Sequence, residues 1–414
     1  MKRSLLTTLA LALALFVCAS SCNKAPGPDV PPPPENNENG NGNGNNDNGN
    51  GNGNGNENNG NDNPDSGTLC SDIGQTPIIL AYYTENSPEL PDVTLLTHIN
   101  YAHGRFVDPT NGTGGIEIAK PDLLKKVIAL KSKNPNLKVL LMIGGWGMKA
   151  DGFSMMARDA AKRTEFCQAC KEHIDNYGLD GIDIDWEYPT YSAEGTGADP
   201  TDKSNFNLVL KELRETIGNT KLITFASSAS AKYVDWKNAI KYIDYVNVMT
   251  YDMGAAPNGH NSPLHRSTTF NQRSCEESVD LHLAAGIPLN RQNLGVPFYG
   301  KAEKNPANKI YEYEVNYNEM DSILNKNYYA KRKLDVSGYN IRKWDPVAMV
   351  PYLTDVAGHN YLSYDDPESV ACKGKFVLDK GLLGAMFWEY RHDDSNQSLL
   401  KSLVNAVYGK ESVL

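Results

Sequence analysis

In the segment Asp180-Gly181-Ile182-Asp183-Ile184-Asp185-Trp186-Glu187-Tyr188, three carboxylates alternate with three apolar side chains. An extended strand turns successive side chains to opposite faces, so residues two apart lie about 6–7 Å from each other on one face. Asp183, Asp185 and Glu187 therefore share one face, and Ile182, Ile184 and Trp186 the other. Burying like charges in a row costs free energy unless a proton is shared or partners are supplied. A strand built this way is either exposed at a sheet edge or catalytic.

The elements that position this row repeat along the chain. Short β-rich runs alternate with longer helix-period segments, the pattern of a parallel α/β fold. Ile78–Tyr82, His98–Ala102, Val139–Ile143, Gly181–Trp186, Leu222–Ala226, Tyr245–Met249, Asn293–Phe298 and Leu383–Trp388 read as eight strands. Helices are expected over Pro121–Lys133, Arg163–Tyr177, Asn205–Ile217, Val234–Ile240, Ser274–Ala285, Pro367–Lys380 and Asn396–Val407. Asp366 stands ready to cap the helix that Pro367 opens, and Gly381 sits just past its end. Eight strand–helix repeats and a final helix fit a (β/α)8 TIM barrel better than an open doubly wound sheet. No GxGxxG follows the first strand, which removes the main support for a dinucleotide cofactor. The stretch from Gly300 to Leu382 exceeds one connection, so a small insertion rich in tyrosine and charge is expected between strands seven and eight, over about 301–345. Barrel chemistry sits at the C-terminal strand ends. The acids should thus face the barrel interior, with Glu187 at the mouth.

The barrel domain is expected over 70–414. Before it, Lys2 and Arg3 precede the apolar run Leu5 to Val17, which suits a signal-peptide core and is too short for a comfortable membrane span. Ala19, Ser20 and Ser21 lead to Cys22, an arrangement that resembles the lipobox of bacterial lipoproteins. This implies a signal peptide over 1–22, lipidation at Cys22 and a lipid-anchored place in the cell envelope, each buried methylene contributing about 0.8 kcal/mol. Residues 23–68 run through Pro31 to Pro34 into Asn-Gly repeats with almost nothing apolar to bury. They read as a disordered tether spanning on the order of 35–40 Å r.m.s.. Cys167 and Cys170 form a CxxC within a helical pattern and lack a second ligand pair, so buried thiols are expected rather than a metal site. A net charge of −10 without a basic cluster argues against a nucleic-acid partner.

The segment from Asp180 to Glu187 resembles the DGxDxDxE signature of glycoside hydrolase family 18, the chitinase family, and Tyr188-Pro189 is similar to its chitinase branch. Further similarity falls at other strand ends: Tyr82-Tyr83, Ile99-Asn100-Tyr101-Ala102, Met249-Thr250-Tyr251-Asp252, Gly295-Val296-Pro297-Phe298-Tyr299-Gly300 and Gly384-Ala385-Met386-Phe387-Trp388. The resemblance implies a substrate-assisted retaining hydrolase, in which the N-acetyl oxygen of the sugar attacks the anomeric carbon. Glu187 is then the proton donor, and Asp185 accepts the acetamide N–H and offsets developing charge. Asp183 shares a proton with Asp185, which helps to keep Glu187 protonated. By the same resemblance Tyr251 holds the acetamide oxygen, Asp252 binds the sugar, and Trp388 forms the floor beneath it. Tyr299 and Trp146 serve as cleft walls, and Met249 and Tyr82 stand among the substrate-binding positions. No cofactor or metal is implied. Many family members carry SxGG where this chain has Met142-Ile143-Gly144-Gly145, which puts the buried end of the proton relay in question.

The activity so implied is cleavage of β-1,4 bonds between N-acetylglucosamine units in chitin or its oligomers, by a monomer. Two alternatives are an endo-β-N-acetylglucosaminidase acting on N-glycan cores and a silent chitin-binding lectin. Such lectins typically lose the acid, and Glu187 is present.

Overall fold

A computed structural model describes residues 77–147, 151–192, 196–304, 313–324 and 341–409. Its main sheet contains β1 (Ile78–Thr84), β2 (His98–Asp108), β3 (Thr113–Ile118), β4 (Lys138–Gly144), β5 (Gly181–Asp185), β6 (Leu222–Ser228), β7 (Tyr245–Met249), β8 (Gln292–Pro297) and, late in the chain, a strand at Gly384–Trp388. Five short strands form a second sheet: β9 (Tyr299–Ala302), β10 (Glu314–Asn316), β11 (Ile341–Asp345), β12 (Val350–Thr354) and β13 (Asn360–Ser363). The Gly384–Trp388 strand is therefore β14. In the main sheet the order is β1-β14-β8-β7-β6-β5-β4-β2-β3, and β1 also pairs with β2, which closes eight parallel strands into a barrel.

Strand alternation separates two cores. Ile78, Leu80, Tyr82, Leu140, Met142, Tyr245, Met249 and Met386 belong to the cluster that fills the barrel. Their neighbours Ile79, Ala81, Tyr83, Leu141, Ile143, Val246 and Val248 pack outward against the helices. On β5 the outward set is Ile182, Ile184 and, one residue beyond, Trp186. Trp186 is 2% exposed. It stacks on Phe153 with ring centroids 5.3 Å apart and meets Phe206 edge-on at 5.6 Å. Aromatic pairs of this kind contribute about 0.5–1.5 kcal/mol each beyond their buried area. This outward anchoring fixes the inward direction of Asp183 and Asp185.

The helices are α1 (Pro121–Ala129), α2 (Phe153–Ala157), α3 (Ala160–Tyr177), α4 (Asp202–Ile217), α5 (Trp236–Ala239), α6 (Cys275–Ala284), α7 (Tyr317–Leu324), α8 (Pro367–Lys380) and α9 (Ser398–Val407). Asp366 caps α8 by accepting from the N–H groups of Glu368 and Ser369, and Gly381 ends it at φ +72°, as its sequence signals predict. Ser274 and Glu277 form a reciprocal capping box on α6. Cys167 and Cys170 are buried free thiols on α3, Cys275 is another on α6, and Cys372 is a half-buried one on α8.

Several expectations need correction. β2 does not stop at Ala102 but runs on to Asp108 and forms an antiparallel hairpin with β3. Helix α1 ends at Ala129 and tightens into a 3-10 turn at Leu130–Ser132, short of Lys133. Helix α5 is one turn rather than the full Val234–Ile240. The insertion extends past 345, since β12 and β13 pair with β11 and β9 to complete its sheet. The signal peptide, Cys22 and the tether lie outside the described residues.

Candidate active site

Asp183 and Asp185 project from β5 into the barrel, and Glu187 follows two residues past the strand end. Their exposures rise toward the mouth, at 0%, 5% and 8%. Gly144 and Gly145 allow this strand end to be approached closely. Gly145 N–H donates to the Asp185 carbonyl at 2.8 Å. A Cβ on Gly144, which sits at φ +105°, would fall 2.2 Å from that same oxygen.

Asp183 is held by three side-chain donors. Tyr82 OH donates to Oδ2 at 2.9 Å. Asn247 Nδ2 donates to Oδ1 at 3.1 Å, and the Thr224 hydroxyl donates to the same oxygen. Asn293 Nδ2 in turn donates to Asn247 Oδ1 at 3.0 Å, which orients the amide with its nitrogen toward Asp183. Burial raises the Asp183 carboxyl to about 6, although the bonds from Thr224, Tyr82 and Asn247, with Asn100 beside them, pull the other way. Met142 stands beside Asp183 in the β4–β5 register and donates nothing. The gap left by the absent serine is thus met from β6, β7 and β1.

Tyr251 and Asp252 follow β7 after Thr250. Burial, then the charges of Asp185, Glu187 and Asp252, push the Tyr251 phenol well above its ordinary value, so it remains a donor. Asp252 adopts the left-handed region at φ +55°. Its N–H donates to Asn261 Oδ1 at 2.9 Å, which fixes that conformation. Asp252 Oδ1 accepts from Tyr299 OH at 2.8 Å and pairs with Lys301 Nζ at 3.0 Å. Lys301 also pairs with Glu314 on β10, which ties the second sheet to the barrel rim.

These groups open into a cleft of about 820 Å³. Asp185, Glu187, Tyr251, Asp252, Trp388 and Tyr299 line it, and so do Trp146, Met249 and Tyr82. Asp183 lies one layer below. Trp388 leans on Tyr82, with ring centroids 5.5 Å apart, and on His103 at 6.4 Å. Trp146 is 51% exposed and meets Tyr188 edge-on at 6.3 Å.

Sequence reasoning missed several residues of this site. Thr224, Asn247 and Asn293 carry the column beneath the acids. Each is a polar residue at an inward-facing position of a mostly apolar strand, and that parity is the signal that could have found them. Tyr233 stacks on Tyr188 at 4.5 Å and 5° and extends the aromatic wall. Lys301 and Glu314 form the wall on the second-sheet side. His103 lines the cleft while its Nδ1 bonds Glu85 Oε2 at 2.8 Å.

A family model described as Glycosyl hydrolases family 18 matches residues 78–393. Chitinase A1 of Niallia circulans is 34% identical over 322 residues, covering 66% of this chain and 43% of its own length. The chain therefore spans less than half of that relative. Among solved structures, a family 18 N-acetylglucosaminidase from Paenibacillus barengoltzii is 32% identical at a TM-score of 0.67, covering 80% of this chain and 100% of that one. The Group IV chitinase of Ostrinia furnacalis is 29% identical at a TM-score of 0.68, with 80% and 100% covered.

Proposed function

Since the chain belongs to family 18 of the glycosyl hydrolases, we propose that it cleaves β-1,4 bonds between N-acetylglucosamine units of chitin or chitooligosaccharides. The single observation that carries this reading is the ascending row Asp183, Asp185, Glu187, which leads from a buried carboxyl to an acid in the cleft wall. Glu187 protonates the leaving oxygen. The acetamide oxygen of the same sugar attacks the anomeric carbon as the glycosidic bond breaks, which makes a second nucleophile on the protein unnecessary. Asp185 accepts the acetamide N–H and offsets the charge that develops there. Asp183, with its carboxyl raised to about 6, can hold a proton beside Asp185 while the pair carries one negative charge. Tyr251 stays protonated and donates to the acetamide oxygen. Trp388 supports the apolar face of the sugar.

Glu187→Gln tests the assignment. Hydrolysis of N-acetylchitooligosaccharides should fall by several orders of magnitude while oligosaccharide binding persists. Wild-type binding without turnover would instead favour a lectin. A second reading, release of single N-acetylglucosamine units, draws on the match to the Paenibacillus barengoltzii N-acetylglucosaminidase, which covers 80% of this chain and 100% of that one. Product lengths from a defined oligomer series separate it from internal cleavage. We also propose that Cys22 carries a lipid anchor and residues 23–68 a tether, on the strength of the apolar run and the Ala19-Ser20-Ser21-Cys22 sequence. Cys22→Ser should release the protein from membranes, and a variant that stays bound would refute the anchor.

A further inference from the structure

The column beneath the acids has a feature that the three-acid scheme does not use. Both hydrogen bonds from β6 and β7 end on the same oxygen of Asp183: Thr224 Oγ1 and Asn247 Nδ2 each donate to Oδ1. The other oxygen, Oδ2, accepts from Tyr82 OH, and Asn100 Nδ2, which also faces the carboxyl, makes no bond to it within hydrogen-bond distance. A carboxyl oxygen that already receives two donors has no room for a proton of its own, whereas one with a single donor can carry a proton and still accept.

We propose that Thr224 is a positioning residue for proton transfer: with Asn247 it makes Asp183 Oδ1 an acceptor only, so that the proton shared with Asp185 resides on Oδ2. This rests on the acid–base reading of Asp183, Asp185 and Glu187 given above. Thr224 stands directly beside Asp183 in the β5–β6 register, and Met142 stands beside it on β4. The hydroxyl lacking on the β4 side is therefore supplied from β6. The other groups facing Asp183 are Tyr82 on β1, Asn100 on β2, Asp185 on its own strand, and Asn247 on β7 with Tyr251 just beyond it. Met142 completes the surround on the β4 side without charge. Of these neighbours only Asp185 is a carboxylate, and it is the proposed proton partner.

Two substitutions at a fully buried site separate the hydroxyl from its bulk. Thr224→Val keeps the shape and removes the donor, and Thr224→Ser keeps the donor and removes a methyl. The Asp183 carboxyl is titrated in the free protein by infrared difference spectroscopy, with Asp183→Asn as the reference. The pH dependence of kcat/KM is measured alongside on N-acetylchitooligosaccharides. One hydrogen bond to a charged carboxylate is a tenfold effect or more on its protonation. Thr224→Val should thus move both the carboxyl titration and the acidic inflection of kcat/KM upward by about one pH unit, and Thr224→Ser should leave both near wild type. A valine variant with an unmoved titration would overturn the proposal. So would a serine variant displaced as far as valine, or a moved titration with an unmoved kcat/KM inflection. Failure of the glycosidase reading would show differently, as a wild type that turns over nothing while the carboxyl shift is still seen.

Discussion

Replacing Asp183 by asparagine removes one buried carboxyl while keeping its shape and its capacity to accept from Thr224 and Asn247. In the folded chain this carboxyl holds its proton up to about pH 6, against 3.8 for an ordinary aspartate. Between those values the folded state binds more protons than the unfolded state, so stability falls as pH rises through the window. At 1.36 kcal/mol per unit the loss amounts to roughly 3 kcal/mol in full and levels off about one unit above pH 6. Asparagine does not titrate and should escape it. Urea unfolding near pH 4 and near pH 7, for wild type and Asp183→Asn, gives a double difference that reports what this carboxyl contributes within the coupled Asp183–Asp185 pair. Asp393, also raised to about 6, and Glu85, held at about 2, titrate in both proteins and cancel. The wild type should lose about 2.4 kcal/mol more than the variant on going from the lower to the higher pH, because part of the change already lies below pH 4. A double difference near zero, or of opposite sign, would refute the reasoning.

Other expectations rest on single contacts. Met142→Ser should leave the pH dependence of kcat/KM unchanged, because Asp183 already has three donors. It should lower unfolding free energy by about 2 kcal/mol or more, since Met142 is fully buried. Trp186→Ala should cost about 3–5 kcal/mol of stability in a denaturant titration through loss of its packing on Phe153 and Phe206. Trp388→Ala should raise KM for N-acetylchitooligosaccharides at least tenfold, about 1.4 kcal/mol of binding. Trp388→Phe should recover part of that loss in the same initial-rate measurement.

The barrel and the acid row were legible because they follow from local rules. The alternation in Gly181–Asp185 assigns its faces without reference to any other strand. Tyr245–Met249 needed only its β-rich run, and Pro367–Lys380 only its Asp366 and Gly381 boundaries. What was missed depends on pairing across the chain. Gly114 and Gly115 sit in β3, where glycine argues against a strand, and the pairing with β2 overrides that preference. β12 and β13 are short and gain their hydrogen bonds from β11 and β9, so nothing local marks them as a continuation of the insertion. At the site, the strand-end motifs located the cleft lining, but Thr224, Asn247 and Asn293 are three strands' separate contributions to one column. Their meeting beneath Asp183 follows from barrel closure and register, which a linear reading does not contain. Lys301 and Glu314 were hidden for the same reason, since β9 and β10 must pair before the two charges meet.

Dependence on the substrate's own amide tests the account most directly. Paired aryl β-glycosides of chitobiose, one bearing the 2-acetamido group on the sugar at the cleaved bond and the other a 2-hydroxyl there, are compared by kcat/KM with the wild-type enzyme. The acetamido substrate should be cleaved through Glu187 and the hydroxyl analogue left essentially untouched. Equal rates on the two would contradict it.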